Sequence, residues 1–189
     1  MMKSFHTRIE SSQNAIESVL INENVINEAA QAICTTLRTG GRIYACGNGG
    51  SAAEAMHFAT ELCGRYRSNR VPYPAIALTA DGTALTCIGN DFGWDLIFAR
   101  QVEANASQND LLLVLTTSGN STNVIAALQA ARSKGIKTVG LLGRNGDDAR
   151  ALCDLPIIIA VDDTGSIQEA HLVVIHILCE PLEESPDSQ

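Results

Sequence analysis

His57 and Glu61 stand four residues apart, just after the glycine-rich stretch "GNGGS" at residues 47–51. On a helix that spacing sets an imidazole and a carboxylate one turn apart on one face. Such a pair suits a shared metal ion or a hydrogen-bonded acid and base, and an ordinary surface His–Glu pair has the same spacing. Near the C-terminus, Gln168, Glu169, His171 and His176 lie among Ile167, Leu172, Val174, Ile175 and Leu178. They could add ligands or proton carriers, although a histidine among Ile and Leu is more often a satisfied core residue.

Two loops are shaped for an anion. "GNGGS" follows an apolar run and opens a helical stretch, so its amides would point at a bound anion. It fits a dinucleotide fingerprint only loosely, because the acidic residue expected about 20 positions on is missing and Asp81 is the nearest candidate. A Walker loop fails for want of a lysine at the helix start. The second loop, "TTSGNST" at residues 116–122, offers four hydroxyls from Thr116, Thr117, Ser118 and Ser121. Those hydroxyls can donate to phosphate oxygens; alternatively Ser121 is a helix cap and Gly119 a turn residue.

The elements that must position these residues follow from periodicity. Apolar residues at helical spacing predict two N-terminal helices between residues 5 and 39, split near 22–24. Five short runs, apolar on both faces, predict strands at 42–47, 74–79, 111–117, 137–143 and 155–161, covered by helices on both sides. Helical stretches between them are predicted at 51–63, 83–88, 95–104, 121–134 and 147–152, with a last helix over 165–180 stopping near Pro181. The expected fold is α/β: a doubly wound, five-stranded parallel sheet flanked by helices, with an N-terminal helical extension. One domain spans 1–189, with helices over 1–40, the α/β core over 41–184 and a frayed tail at 185–189. Ligands bind such sheets at the carboxyl ends of the strands, where both loops fall.

Composition narrows the partners. A net charge of −8 argues against nucleic acid, whose phosphates need clustered Lys and Arg. The six cysteines have no CxxC spacing and sit mostly in apolar segments, as expected in a reducing cytoplasm. No run approaches the ~20 apolar residues of a membrane helix, and no export signal is evident at the N-terminus.

Together, "GNGGSAAEAMHFATELCGRY", "IGNDFG", "TTSGNS" and "SIQEAHLVVIHILC" resemble the bacterial phosphoheptose isomerases of the sugar isomerase (SIS) superfamily, in family order from about Ile9 to Leu182. The resemblance implies the SIS fold and a cytoplasmic homotetramer with active sites between subunits. It implies interconversion of sedoheptulose 7-phosphate and D-glycero-D-manno-heptose 7-phosphate, for heptose units of lipopolysaccharide. It also implies one Zn2+ per site on His57, Glu61, Gln168 and His176, with Glu61 and His176 the catalytic pair. Asn48, Gly49, Gly50, Ser51, Glu61, Arg65, Asn90, Asp91, Thr116, Thr117, Ser118, Ser121 and Gln168 would hold the phosphosugar. Two positions depart from the pattern: many relatives carry Arg where Ser166 stands, and many open the second loop with Ser instead of Thr116.

Isomerisation through an enediol needs a base for a carbon-bound proton and stabilisation of the oxyanion. Direct ligation to zinc would weaken Glu61 as a base. On a continuous helix Gln168 and His176 are about 12 Å apart in rise. Either Gln168 therefore precedes the regular helix, or the two reach one ion from different subunits. Two other functions share the family's loops. One is a non-catalytic SIS tetramer that binds the replication initiator; such factors lack the residues matched by Glu61 and His176. The other is a phosphosugar sensor, which would still work as Glu61→Gln.

Overall fold

The structure, a computed structural model, describes residues 4–183. Helix α1 (Phe5–Glu17) runs through a 3-10 turn (Ser18–Asn22) into α2 (Glu23–Arg38). Then follow β1 (Ile43–Gly47), α3 (Gly50–Cys63), β2 (Ala75–Ala77) and α4 (Gly82–Phe92). A second 3-10 turn (Trp94–Leu96) leads to α5 (Ala99–Asn105), β3 (Leu111–Thr116), α6 (Thr122–Ser133) and β4 (Lys137–Gly143). The chain closes with α7 (Asp147–Arg150), β5 (Leu155–Ile159) and α8 (Thr164–Glu183). The tail at 184–189 lies outside the described residues.

The sheet is parallel throughout, in the order β2-β1-β3-β4-β5. Strand order reverses between β1 and β3, which makes the crevice beyond their carboxyl ends the topological switch point. Alternation along β3 feeds two cores: Leu111, Leu113 and Leu115 face α2, α3 and α8, while Leu112 and Val114 face α5 and α6. The α3–α8 crossing on the first face carries the chemistry described below.

Three expectations change. The central strands are buried on both faces, but at the edges Ile76 of β2 is exposed and β5 alternates between buried and half-buried positions. The last helix continues through Pro181 to Glu183, because Leu182 is buried and Glu183 binds Arg70 and Ser68. The stretch after β2 forms α4, which has no buried residue and adds an arm before the crossover helix α5. The predicted break near residue 22 has a specific cause. Asn22 donates to the Ile158 carbonyl at 2.9 Å and accepts from the Ile158 N–H at 3.1 Å, adding a rung to the free edge of β5.

Candidate active site

The two predicted loops meet at the switch point. Both helices that leave them, α3 and α6, start without a side-chain cap; in α3 the Ser51 and Ala52 amides bond the Asn48 and Gly49 carbonyls, whereas the first-turn amides of α6 face the loop and can serve an anion. Ser121 occupies the cap position of α6, yet its hydroxyl pairs with Thr116 Oγ1 at 3.2 Å instead of capping. Thr116 is buried and also accepts the Gly119 N–H at 3.2 Å. Gly119 has φ +72°, and a Cβ there would collide with the Gly146 carbonyl, so only glycine closes this loop.

Between the loops lies a cavity of about 60 Å³, lined by Asn48, Ser51, Leu115, Thr116, Thr117 and Ser121. At ~30 Å³ per water that is the volume of about two waters, which admits oxygens of an anionic head group and not a whole sugar. Asn48 is fixed by a reciprocal amide pair with Asn123, with bonds of 2.8 and 2.9 Å. Asn123, in the first turn of α6, escaped the sequence reading; its one signal was its place beside the hydroxyl loop. Ser118 does not line the cavity; its hydroxyl accepts the Asn120 N–H at 3.2 Å and lies 3.5 Å from Thr116 Oγ1. Gly49 and Gly50 are exposed at the start of α3, and a Cβ on Gly50 would strike the Gln168 amide.

A second group of polar atoms forms where α3 crosses α8. His57 Nε2 lies 3.2 Å from His176 Nε2 and 3.3 Å from Glu61 Oε1. An imidazole and a carboxylate from one helix thus meet an imidazole from another 119 residues away, within a single chain. Tyr66 stacks on His176 with centroids 5.5 Å apart and donates its hydroxyl to Glu180. Arg70 anchors the end of α3: its guanidinium donates to the Glu61 and Leu62 carbonyls and pairs with Glu183 at 3.1 Å. The Arg70 and Glu183 side chains are 1% and 10% exposed, so the pair is nearly withdrawn from water.

In tetrahedral zinc coordination, ligand atoms 2.0–2.1 Å from the ion are about 3.3 Å from each other. Both distances at His57 match that edge. Among the described residues, however, no three or more His, Cys, Asp or Glu side chains complete a metal cage. Gln168 lies inside α8, against Gly50, so it does not precede the regular helix.

Other predicted residues are not gathered here. Arg65 is exposed beyond α3 and does not line the cavity. Asn90 and Asp91 are exposed at the end of α4, where the Asn90 amide donates to Asp91. The charge expected to be missing at Ser166 arrives from another element: Arg8 of α1 donates to Ser166 Oγ at 2.8 Å and to Glu169 at 2.6 Å.

Residues 7–143 match the SIS domain family. A phosphoheptose isomerase of Aliarcobacter butzleri is 48% identical over 180 residues, which is 95% of this chain and 94% of that one. Among solved structures, phosphoheptose isomerase GmhA from Neisseria gonorrhoeae aligns with a TM-score of 0.88 and 38% identity, over 95% of this chain and 96% of that one. A phosphoheptose isomerase from Francisella tularensis aligns with a TM-score of 0.92 and 36% identity, over 97% and 100%.

Proposed function

The chain belongs to the phosphoheptose isomerases of the SIS domain family, and from that premise we propose that it interconverts sedoheptulose 7-phosphate and D-glycero-D-manno-heptose 7-phosphate, a step toward lipopolysaccharide heptose. One observation carries the reading: His57 touches both Glu61 and His176 on the helix that leaves the anion cavity. Along α3 the rise from Ser51 to His57 is about 9 Å. A substrate held by its phosphate in the cavity reaches the cluster only if it is long, which favours a heptose over a triose phosphate.

The phosphate accepts from the Ser51, Thr117 and Ser121 hydroxyls and from the first-turn amides of α6. Glu61 then removes a proton from C1 of the ketose. The released pair forms the C1–C2 double bond, the carbonyl pair moves to O2, and His176 protonates O2. In the second half the O1 proton leaves, the C1 carbonyl forms and C2 gains a proton. His57, in contact with both groups, orients them and can carry a proton between them. A zinc ion on His57, Glu61, Gln168 and His176 would supply Lewis acidity to the substrate oxygens. With Gln168 and His176 about 12 Å apart along one helix, Gln168 would come from a second copy.

That requirement favours a homotetramer with shared sites. The arm that carries Asn90 and Asp91 supports it, since Phe92, Trp94 and Leu96 stand exposed there beside residues meant for substrate. The deciding experiment is a coupled assay of sedoheptulose 7-phosphate against shorter ketose phosphates, with metal-stripped and zinc-restored protein, alongside molar mass by light scattering. Turnover of the heptulose phosphate that falls on stripping and returns with zinc is expected, from a tetramer. No turnover under any metal condition sinks the assignment.

A further inference from the structure

A buried acid–base pair lies between the cavity and the His57 cluster and has no part in the mechanism above. Glu54 of α3 and His171 of α8 face each other, with His171 Nδ1 4.0 Å from Glu54 Oε2 and side chains 11% and 0% exposed respectively. Glu54 Oε2 and both His171 ring nitrogens lack a partner in hydrogen-bond geometry. Unpaired polar atoms at that depth are costly, and a core built only for packing would replace them with apolar groups.

The surroundings connect this pair to the cavity. The Ser51 hydroxyl, one helical turn before Glu54, lies close enough to the Glu54 carboxyl to favour its ionised form, and it lines the cavity wall. The Leu142 carbonyl faces His171. Leu142 pairs with Thr116 across β3 and β4, which sets the imidazole beneath the hydroxyl loop. Ala45, Ala75, Ala77, Leu113 and Leu115 share the apolar core on this side of α3, and His171, at 4.0 Å, is the ionisable group that faces Glu54 from α8.

We infer that Glu54 and His171 are positioning residues that hold Ser51 so that its hydroxyl is donated to the anionic group of a ligand in the cavity. The inference rests on the cavity being the phosphate site. Burial pushes the Glu54 carboxyl up to about 8 and the His171 imidazole down to about 4, so both are uncharged at neutral pH. A protonated carboxyl donates as well as accepts. It can therefore give its proton to Ser51 Oγ and leave the Ser51 O–H free for phosphate. An ionised Glu54 would capture that O–H and set a negative charge beside the anion.

The test compares Glu54→Leu, Glu54→Gln, Ser51→Ala and the Ser51→Ala/Glu54→Leu double variant in the full-length protein. The readouts are KM and kcat for sedoheptulose 7-phosphate and, separately, the dissociation constant of inorganic phosphate. Glu54→Leu should raise KM and the phosphate constant about tenfold with kcat within about twofold, a loss of uniform binding. Glu54→Gln, which can still donate to Ser51, should restore both to within about threefold. In the double variant Glu54→Leu should add less than about twofold to the effect of Ser51→Ala, because the pair acts through that hydroxyl. Wild-type phosphate binding in Glu54→Leu, or effects that multiply with Ser51→Ala, overturns the inference. Should Glu54→Leu not fold, His171→Asn replaces it, and wild-type phosphate binding there is equally fatal. Phosphate binding needs no turnover, so an inactive wild-type enzyme counts against the isomerase reading alone.

Discussion

The anion cavity is assembled from two turns at the ends of neighbouring strands β1 and β3, whereas the His57 cluster forms where α3 and α8, far apart in sequence, cross. The cavity closes within one chain through short hydroxyl and amide bonds. The cluster has two close contacts, no complete cage, and candidate helpers on exposed segments. Grip depends on local turns and helix ends, while chemistry depends on the helix crossing being held in register. Damage to one region should therefore leave the other measurable.

The sharpest test of that separation is Glu61→Gln. It should lower kcat by about a thousandfold, within the range of general acid–base catalysis, while inorganic phosphate still binds; loss of phosphate binding would merge the two regions. Next comes Arg70→Leu, which removes the guanidinium from Glu183 at the foot of the crossing and leaves its carboxylate the Ser68 and Arg67 donors alone. A loss of about 2 kcal/mol in denaturant unfolding is expected, with activity falling before the cavity fails. Ser121→Ala attacks only the grip: KM should rise about five- to tenfold with kcat nearly constant, as when one hydrogen bond to a charged group is removed.

The smallest effect is a pH dependence of stability. Glu54 is raised from 4.5 to about 8 in the folded protein, so its contribution is full below pH 4.5 and lost as pH rises through about 8. His171 is lowered from 6.5 to about 4, so its contribution is full above pH 6.5 and lost as pH falls through about 4. In Glu54→Gln the decline of the thermal midpoint between about pH 5 and 8 should flatten while the acid limb remains.

The sequence made the central sheet and both loops legible, because runs such as "LLLVLTT" are buried on two faces and their hydroxyl-rich or glycine-rich ends have little else to do. The meeting of His57 with His176 was legible only through the family resemblance, since helical spacing places neighbours on one helix and says nothing of a partner 119 residues away. Periodicity also hid three features. His171 reads as a core histidine, and it is buried as such, but nothing in the pattern reveals that it faces Glu54. Arg8 reads as a surface residue of an extension, although it bonds a serine 158 positions on. The arm at α4 has apolar residues at helical spacing, yet the single chain buries Leu85 and Ile88 only in part and leaves Phe92 exposed.

The two hydrogen bonds between Asn22 and Ile158 give the N-terminal helices a further duty. They shield β5 at the border of the sheet, where bare N–H and C=O groups would otherwise invite a strand from another molecule. A truncated protein beginning inside α2 would keep every residue of the catalytic pair and still lose that shield. Aggregation would then be its first defect, ahead of any change in turnover.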